Sequence, residues 1–126
     1  MNKNNKGLST DIAKINKLIK DNNIEVIDIK CIDLTGRLHH ISLPVYPEII
    51  TTLLNEGVGF DGSSYGFRKV ENSDMILVPD LTTAVLDPFR ESKTLSFYAN
   101  IFLTDEARTP FGQDGRHIAR MAEELV

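Results

Sequence analysis

The chain has 126 residues, of which 41% are hydrophobic and 25% charged, which suits one soluble globular domain able to bury a single core. Its net charge of −4 argues against non-specific nucleic-acid binding, which needs a basic face, but leaves room for a local site of either sign. The lone cysteine, Cys31, excludes an internal disulfide; with no apolar run of membrane-spanning length and no signal-peptide core in the first twenty residues, a cytoplasmic protein is the expectation.

Met1 to Gly7 reads as a polar tail. Leu8, Ile12, Ile15 and Ile19 then recur at helical spacing, with Ser9 or Thr10 as the expected N-cap and Asp21-Asn22-Asn23 as the stop. Ile24 to Leu34 alternates as a strand, with Ile27, Ile29 and Cys31 on one face. Asp33-Leu34-Thr35-Gly36 is a turn, and Arg37 to Leu43 returns as the second strand of a hairpin, stopped by Pro44. Pro47 opens the next helix, Ile49, Ile50, Leu53 and Leu54 form its stripe, and Gly57 ends it.

From Gly57 the chain is expected to run as a polar loop, FDGSSYGF, in which Asp61 is followed by Gly62, Ser63 and Ser64. A second polar knot, Glu71-Asn72-Ser73-Asp74, precedes two short strand-like runs, MILV and TTAVL, closed by Pro79-Asp80 and Asp87-Pro88. Thr94 to Leu103 is the clearest strand: Leu95, Phe97, Ala99, Ile101 and Leu103 point one way, and Ser96, Tyr98, Asn100 and Phe102 the other. A turn-rich connector follows from Thr104 to Gly115. Asp114 is placed to cap a last helix, whose face is Ile118, Met121, Ala122 and Leu125. That stripe either packs on the chain's own sheet or waits for further protein; the pattern alone leaves both open. The order of helix, hairpin, helix and strands implies an α+β domain, a small twisted sheet with helices against one face.

Asp61 is the main candidate for chemistry. The plain reading makes it an Asx-turn residue satisfied by nearby amides. The functional reading uses the fact that an ionised Asp only accepts hydrogen bonds, so it can hold a small cation and take a proton from it. Ser63 and Ser64 read first as turn-formers, because no histidine nearby can activate a serine. His39 and His40 are adjacent on a strand and must face opposite ways, so no metal site is expected from them or from His117. Asp33, Asp74, Asp80, Asp87 and Asp114 read as turn or cap residues. Arg68 and Lys69 read as a solvated basic pair, and Phe60, Tyr65 and Phe67 as loop anchors.

FDGSS, SDM, PD and TAV-x-DPF in this order resemble the N-terminal domain of glutamine synthetases. Ile32-Asp33-Leu34-Thr35-Gly36-Arg37-Leu38-His39-His40 is similar to the family's hairpin. Pro110 to Glu123 is similar to the segment leading into its catalytic domain, with Asp114-Gly115-Arg116 where Asp-Pro-Arg is usual. The resemblance covers about Ile24 to Val126. It implies a β-grasp-like fold divided as a tail and helix (1–23), the β-grasp-like domain (24–109) and a connector (110–126). It implies that Asp61 and Ser64 belong to an ammonium site, with Asp61 accepting the proton, and that they form a wall of a neighbouring subunit's active site in stacked rings. It further implies ATP and Mg or Mn in a full-length enzyme whose nucleotide and metal sites lie mostly in a larger C-terminal domain. The segment Tyr65 to Asn72 is a residue shorter than in many members, so no role is carried over beyond Ser64. Two alternatives stand beside this: a related ligase that joins glutamate to amines or polyamines, and a non-catalytic assembly or binding module.

Overall fold

The computed structural model describes residues 2–65 and 74–125, the side chains of residues 2–10, 64 and 65 excepted. In chain order the elements are α1 (Asn2–Asp21), β1 (Val26–Ile32), β2 (Leu38–Pro44), α2 (Pro47–Glu56), β3 (Val58–Asp61), β4 (Asp74–Pro79), β5 (Val85–Asp87), β6 (Thr94–Leu103) and α3 (Gly115–Glu124). Short 3₁₀ turns lie at Gly62–Tyr65 and Leu81–Thr83.

The sheet runs β2-β1-β6-β4-β3, with β5 beside β6 off this path. β6 is its spine because it is long enough to serve two sets of neighbours. Its first half pairs in parallel with β1, from Val26↔Thr94 to Lys30↔Tyr98, and antiparallel with β5. Its second half pairs antiparallel with β4, from Met75↔Leu103 to Pro79↔Ala99. Period-2 alternation places Leu95, Phe97, Ala99 and Ile101 on one face, all essentially inaccessible. Ile27, Ile29 and Cys31 from β1 and Met75 and Leu77 from β4 extend that face. Ile15 of α1 and Ile50, Leu53 and Leu54 of α2 close over it, forming one core on one side of the sheet. This is the α+β, β-grasp-like arrangement the resemblance implied.

The hairpin turn forms as expected. The Gly36 N–H donates to the Asp33 carbonyl at 3.1 Å, and Gly36 adopts φ +85°. Gly57 likewise ends α2, its N–H donating to the Leu53 carbonyl at 2.9 Å. Its φ is +83°, and a Cβ there would lie 2.2 Å from the Leu77 carbonyl oxygen, so a side chain is excluded by both strain and contact.

Five expectations change. α1 begins at Asn2, so Ser9 and Thr10 lie inside the helix; Gly7 is carried within it at a cost of about 1 kcal/mol. Ile49 is 47% exposed and drops out of the α2 stripe. Residues 58–61 are not loop but a strand, β3, paired from Val58↔Leu77 to Asp61↔Asp74; its glycine and short length hide the strand pattern. Asp74 is therefore a strand residue rather than a turn or cap. The TTAVL run splits: the Asp80 carboxylate accepts the Thr82 N–H at 3.1 Å and its hydroxyl at 2.6 Å, winding residues 81–83 into a 3₁₀ turn and leaving only Val85–Asp87 as strand.

Candidate functional site

Asp61 is the last residue of β3 and is exposed. The ladder to β4 fixes its backbone, and the 3₁₀ turn at Gly62–Tyr65 carries the chain away. Its Oδ1 accepts the Ser63 N–H at 2.9 Å and the Ser63 hydroxyl at 2.7 Å. Two bonds from one residue to one oxygen restrict the carboxylate's rotation, so Ser63 positions Asp61. The sequence carried that signal in the spacing Asp-x-Ser. Ser64 lies in the same turn, but its side chain is outside the described residues, as are Phe67, Arg68, Lys69 and the Glu71-Asn72-Ser73 knot.

Asp74 stands directly across the ladder from Asp61 and is also exposed. Directly opposed like charges destabilise a strand pair, and the repulsion is relieved when a cation lies near both. Strand spacing alone did not reveal this pair, because β3 itself was not legible. An exposed carboxylate holds a cation by only about 1 kcal/mol or less in water, so tight retention of an ion here needs walls that exclude water.

The histidines divide as their strand parity requires. His39 Nε2 meets Asp33 Oδ2 at 2.8 Å, and His40 Nδ1 meets Asp28 Oδ1 at 2.8 Å on the other face. The His39 contact, followed by the Thr35 hydroxyl and backbone amides, holds the Asp33 carboxyl well below the usual range. Asp28 is fully buried and also accepts the Ser42 hydroxyl at 2.9 Å, with Arg90 Nη2 at 3.5 Å from Oδ2. The sequence reading missed this buried carboxylate, whose partners come from β2 and from the turn after β5. Burial first, then the charges of Asp114 and Asp33, push the Cys31 thiol up to about 12, which makes it a poor nucleophile.

Asp114 caps α3, its carboxylate accepting the Arg116 N–H at 3.2 Å. Arg116 also reaches Asp80 at 2.6 Å and Asn100 at 3.2 Å. The face named for α3 does not pack on the sheet: Ile118, Met121 and Leu125 are 52%, 53% and 89% exposed. Among the described residues no three His, Cys, Asp or Glu side chains converge to hold a metal ion. No described helix is long and apolar enough to cross a membrane.

Residues 23–104 match the family model for the beta-grasp domain of glutamine synthetase. The chain is 44% identical over 112 residues to a glutamine synthetase of Mycolicibacterium smegmatis, covering 87% of this chain and 23% of that protein. It is 38% identical over 114 residues to one of Pseudomonas aeruginosa, covering 90% of this chain and 24% of that protein. The fold superimposes on a glutamine synthetase of Plasmodium falciparum solved by cryo-electron microscopy with a TM-score of 0.77 and 24% identity, covering 91% of this chain and 22% of that one. The chain thus spans about a quarter of the length of the relatives it matches.

Proposed function

Because the chain belongs to the glutamine synthetase beta-grasp family, we propose that it serves as the N-terminal domain of a glutamine synthetase and supplies Asp61 to an ammonium site completed by a neighbouring subunit. The observation that carries this reading is the placement of Asp61 within the matched region: an exposed carboxylate at a strand end, oriented by Ser63 and faced by Asp74. Ser64 follows in the same turn and is proposed to lie beside the same ion.

The chemistry suits these residue types. Ammonium has no lone pair. Once a proton passes from it to the Asp61 carboxylate, the nitrogen lone pair can form the C–N bond at a γ-carboxyl activated as its acyl phosphate; the C–O bond to phosphate breaks, and the new amide sheds its second proton to the departing phosphate or to water. ATP provides that activation; it and Mg or Mn would be held outside the residues described here. The exposure of Asp61 supports a shared site, because a wall from another subunit would exclude water and strengthen the carboxylate's hold on the ion. Such sharing ties activity to assembly of a homo-oligomer. The 126 residues alone are proposed to be inactive, the boundaries 1–23, 24–109 and 110–126 to mark tail, domain and connector, and the full-length enzyme to be cytoplasmic.

The test uses the full-length protein. Asp61→Ala is expected to lower kcat/KM for ammonium by about 10²–10⁴, the range of a lost general base, while the KM for glutamate changes little. Unchanged ammonium kinetics would overturn the role. Glutamine formation by the isolated chain would overturn the proposed division of labour.

A further inference from the structure

We propose that the open face of the sheet carries a second ligand site, a cavity that takes a small monocarboxylate with an apolar body. The cavity has a volume of about 260 Å³ and lies between β1, β6 and the turn after β5. Lys30, Ser96 and Tyr98 line it from the sheet, and Val85, Pro88 and Phe89 from β5 and its turn.

One of its polar groups is buried without a partner, and one of its charges has no described counter-ion. Ser96 is only 7% exposed, and its hydroxyl has no hydrogen-bond partner. A buried hydroxyl without a partner is uncommon and calls for an explanation. Lys30 makes no ion pair with a described residue. The two side chains share a face: Lys30 is in register with Tyr98, and Ser96 lies two residues earlier on β6.

The other charged side chains around the cavity already have partners, Arg90 being shared by Asp28 and Asp87. Asp87, which also lines the cavity, accepts the Phe89 N–H at 2.9 Å and faces Arg90 at 3.7 Å. Asp28, in register with Ser96, is held by His40, Ser42 and Arg90. Arg116, 5.9 Å above the Tyr98 ring, is paired with Asp80. What the cavity lacks is therefore an acceptor that can take both an ammonium and a hydroxyl proton, and a carboxylate does so with charge-assisted bonds.

The apolar half of the ligand is set by the walls. Phe89 is 94% exposed at the mouth, and Val85 is 59% exposed. Both would lose contact with water against a hydrocarbon or aromatic body. The volume lies below the roughly 300–1,000 Å³ of sites for drug-sized molecules, so the ligand is small. The site lies on the β1–β6 half of the sheet, away from Asp61 on β3, and does not depend on the ligase reading.

The experiment is a titration of the 126-residue chain with phenylacetate and, separately, with the uncharged phenylacetamide, followed by amide chemical shifts. Saturable shifts centred on Lys30, Ser96 and Tyr98 are expected with phenylacetate. Binding should weaken about tenfold or more with the amide and in Lys30→Met, the loss expected for a charge-assisted bond. Ser96→Ala should melt no lower than the parent, since it removes an unpartnered hydroxyl, yet bind phenylacetate more weakly. No saturable shift at millimolar concentration would overturn the proposal. So would equal affinity for the amide, or unchanged affinity in Lys30→Met.

Discussion

Asp33, Asp61 and Asp80 use one local device. Each carboxylate oxygen accepts both the N–H and the hydroxyl of a Ser or Thr two residues on. The device is legible in sequence as Asp-x-Ser/Thr, and it explains why the turn reading of Asp61 and the functional reading are compatible. Local bonds set the carboxylate's direction; its neighbours decide what that carboxylate is for. Asp33 also accepts the Arg37 N–H and meets His39, and the histidine gives a pH prediction. Its pKa in the folded chain is depressed, so its contribution to stability is fully present above the ordinary carboxylate range and is lost as pH falls through the folded value. His39→Ala is expected to move the Asp33 titration, followed by carboxyl carbon shifts, back up toward the usual range. An unchanged midpoint would mean that the Thr35 and backbone bonds suffice.

At the scale of the element, α3 shows how much can hang on a cap. Asp114 accepts the Arg116 N–H on one oxygen and the Ile101 N–H, at 3.1 Å, on the other. It thus ties the helix start to β6. Burial pushes its pKa above the usual range, outweighing those bonds and the Arg116 charge. The sign is opposite to that of Asp33: the folded chain holds this proton more tightly, so this group's contribution falls as pH rises from the unfolded to the folded value. Asp114→Ala loses a cap and strands a buried N–H, for a cost of about 2 kcal/mol in urea unfolding. Asp114→Asn keeps one acceptor and should cost about half as much. The cap was legible in sequence; the tie to Ile101 was not, because it joins residues brought together only by the sheet. β3 was missed for a related reason. Four residues with a glycine carry too little pattern to be seen alone, and only pairing with β4 makes them a strand.

For the whole molecule, the decisive feature is that one strand serves both halves of the sheet. Phe97 of β6 faces the helices and is 1% exposed, while Tyr98 beside it faces away and is 41% exposed. Phe97→Ala should cost about 3–5 kcal/mol, lowering the urea midpoint in a single transition because α1, α2 and both strand sets share its core. Tyr98→Ala should shift the midpoint markedly less. Two separate transitions in the parent chain would show instead that the halves unfold independently.

The sequence by itself determined most of the helical and strand periods, the turn at Asp33–Gly36, the stop at Gly57, the cap at Asp114 and the Asp-x-Ser device at Asp61. All of these rest on bonds or spacings within a few residues. Its short ordered motifs also carried the family. Tertiary structure alone decided which carboxylates meet. It set Asp61 against Asp74, buried Asp28 among His40, Ser42 and Arg90, and left Ser96 without a partner above an open cavity. Those relations depend on strand register, and register is chosen by burial of one whole face against the helices. No residue's own neighbours in the chain hold that information.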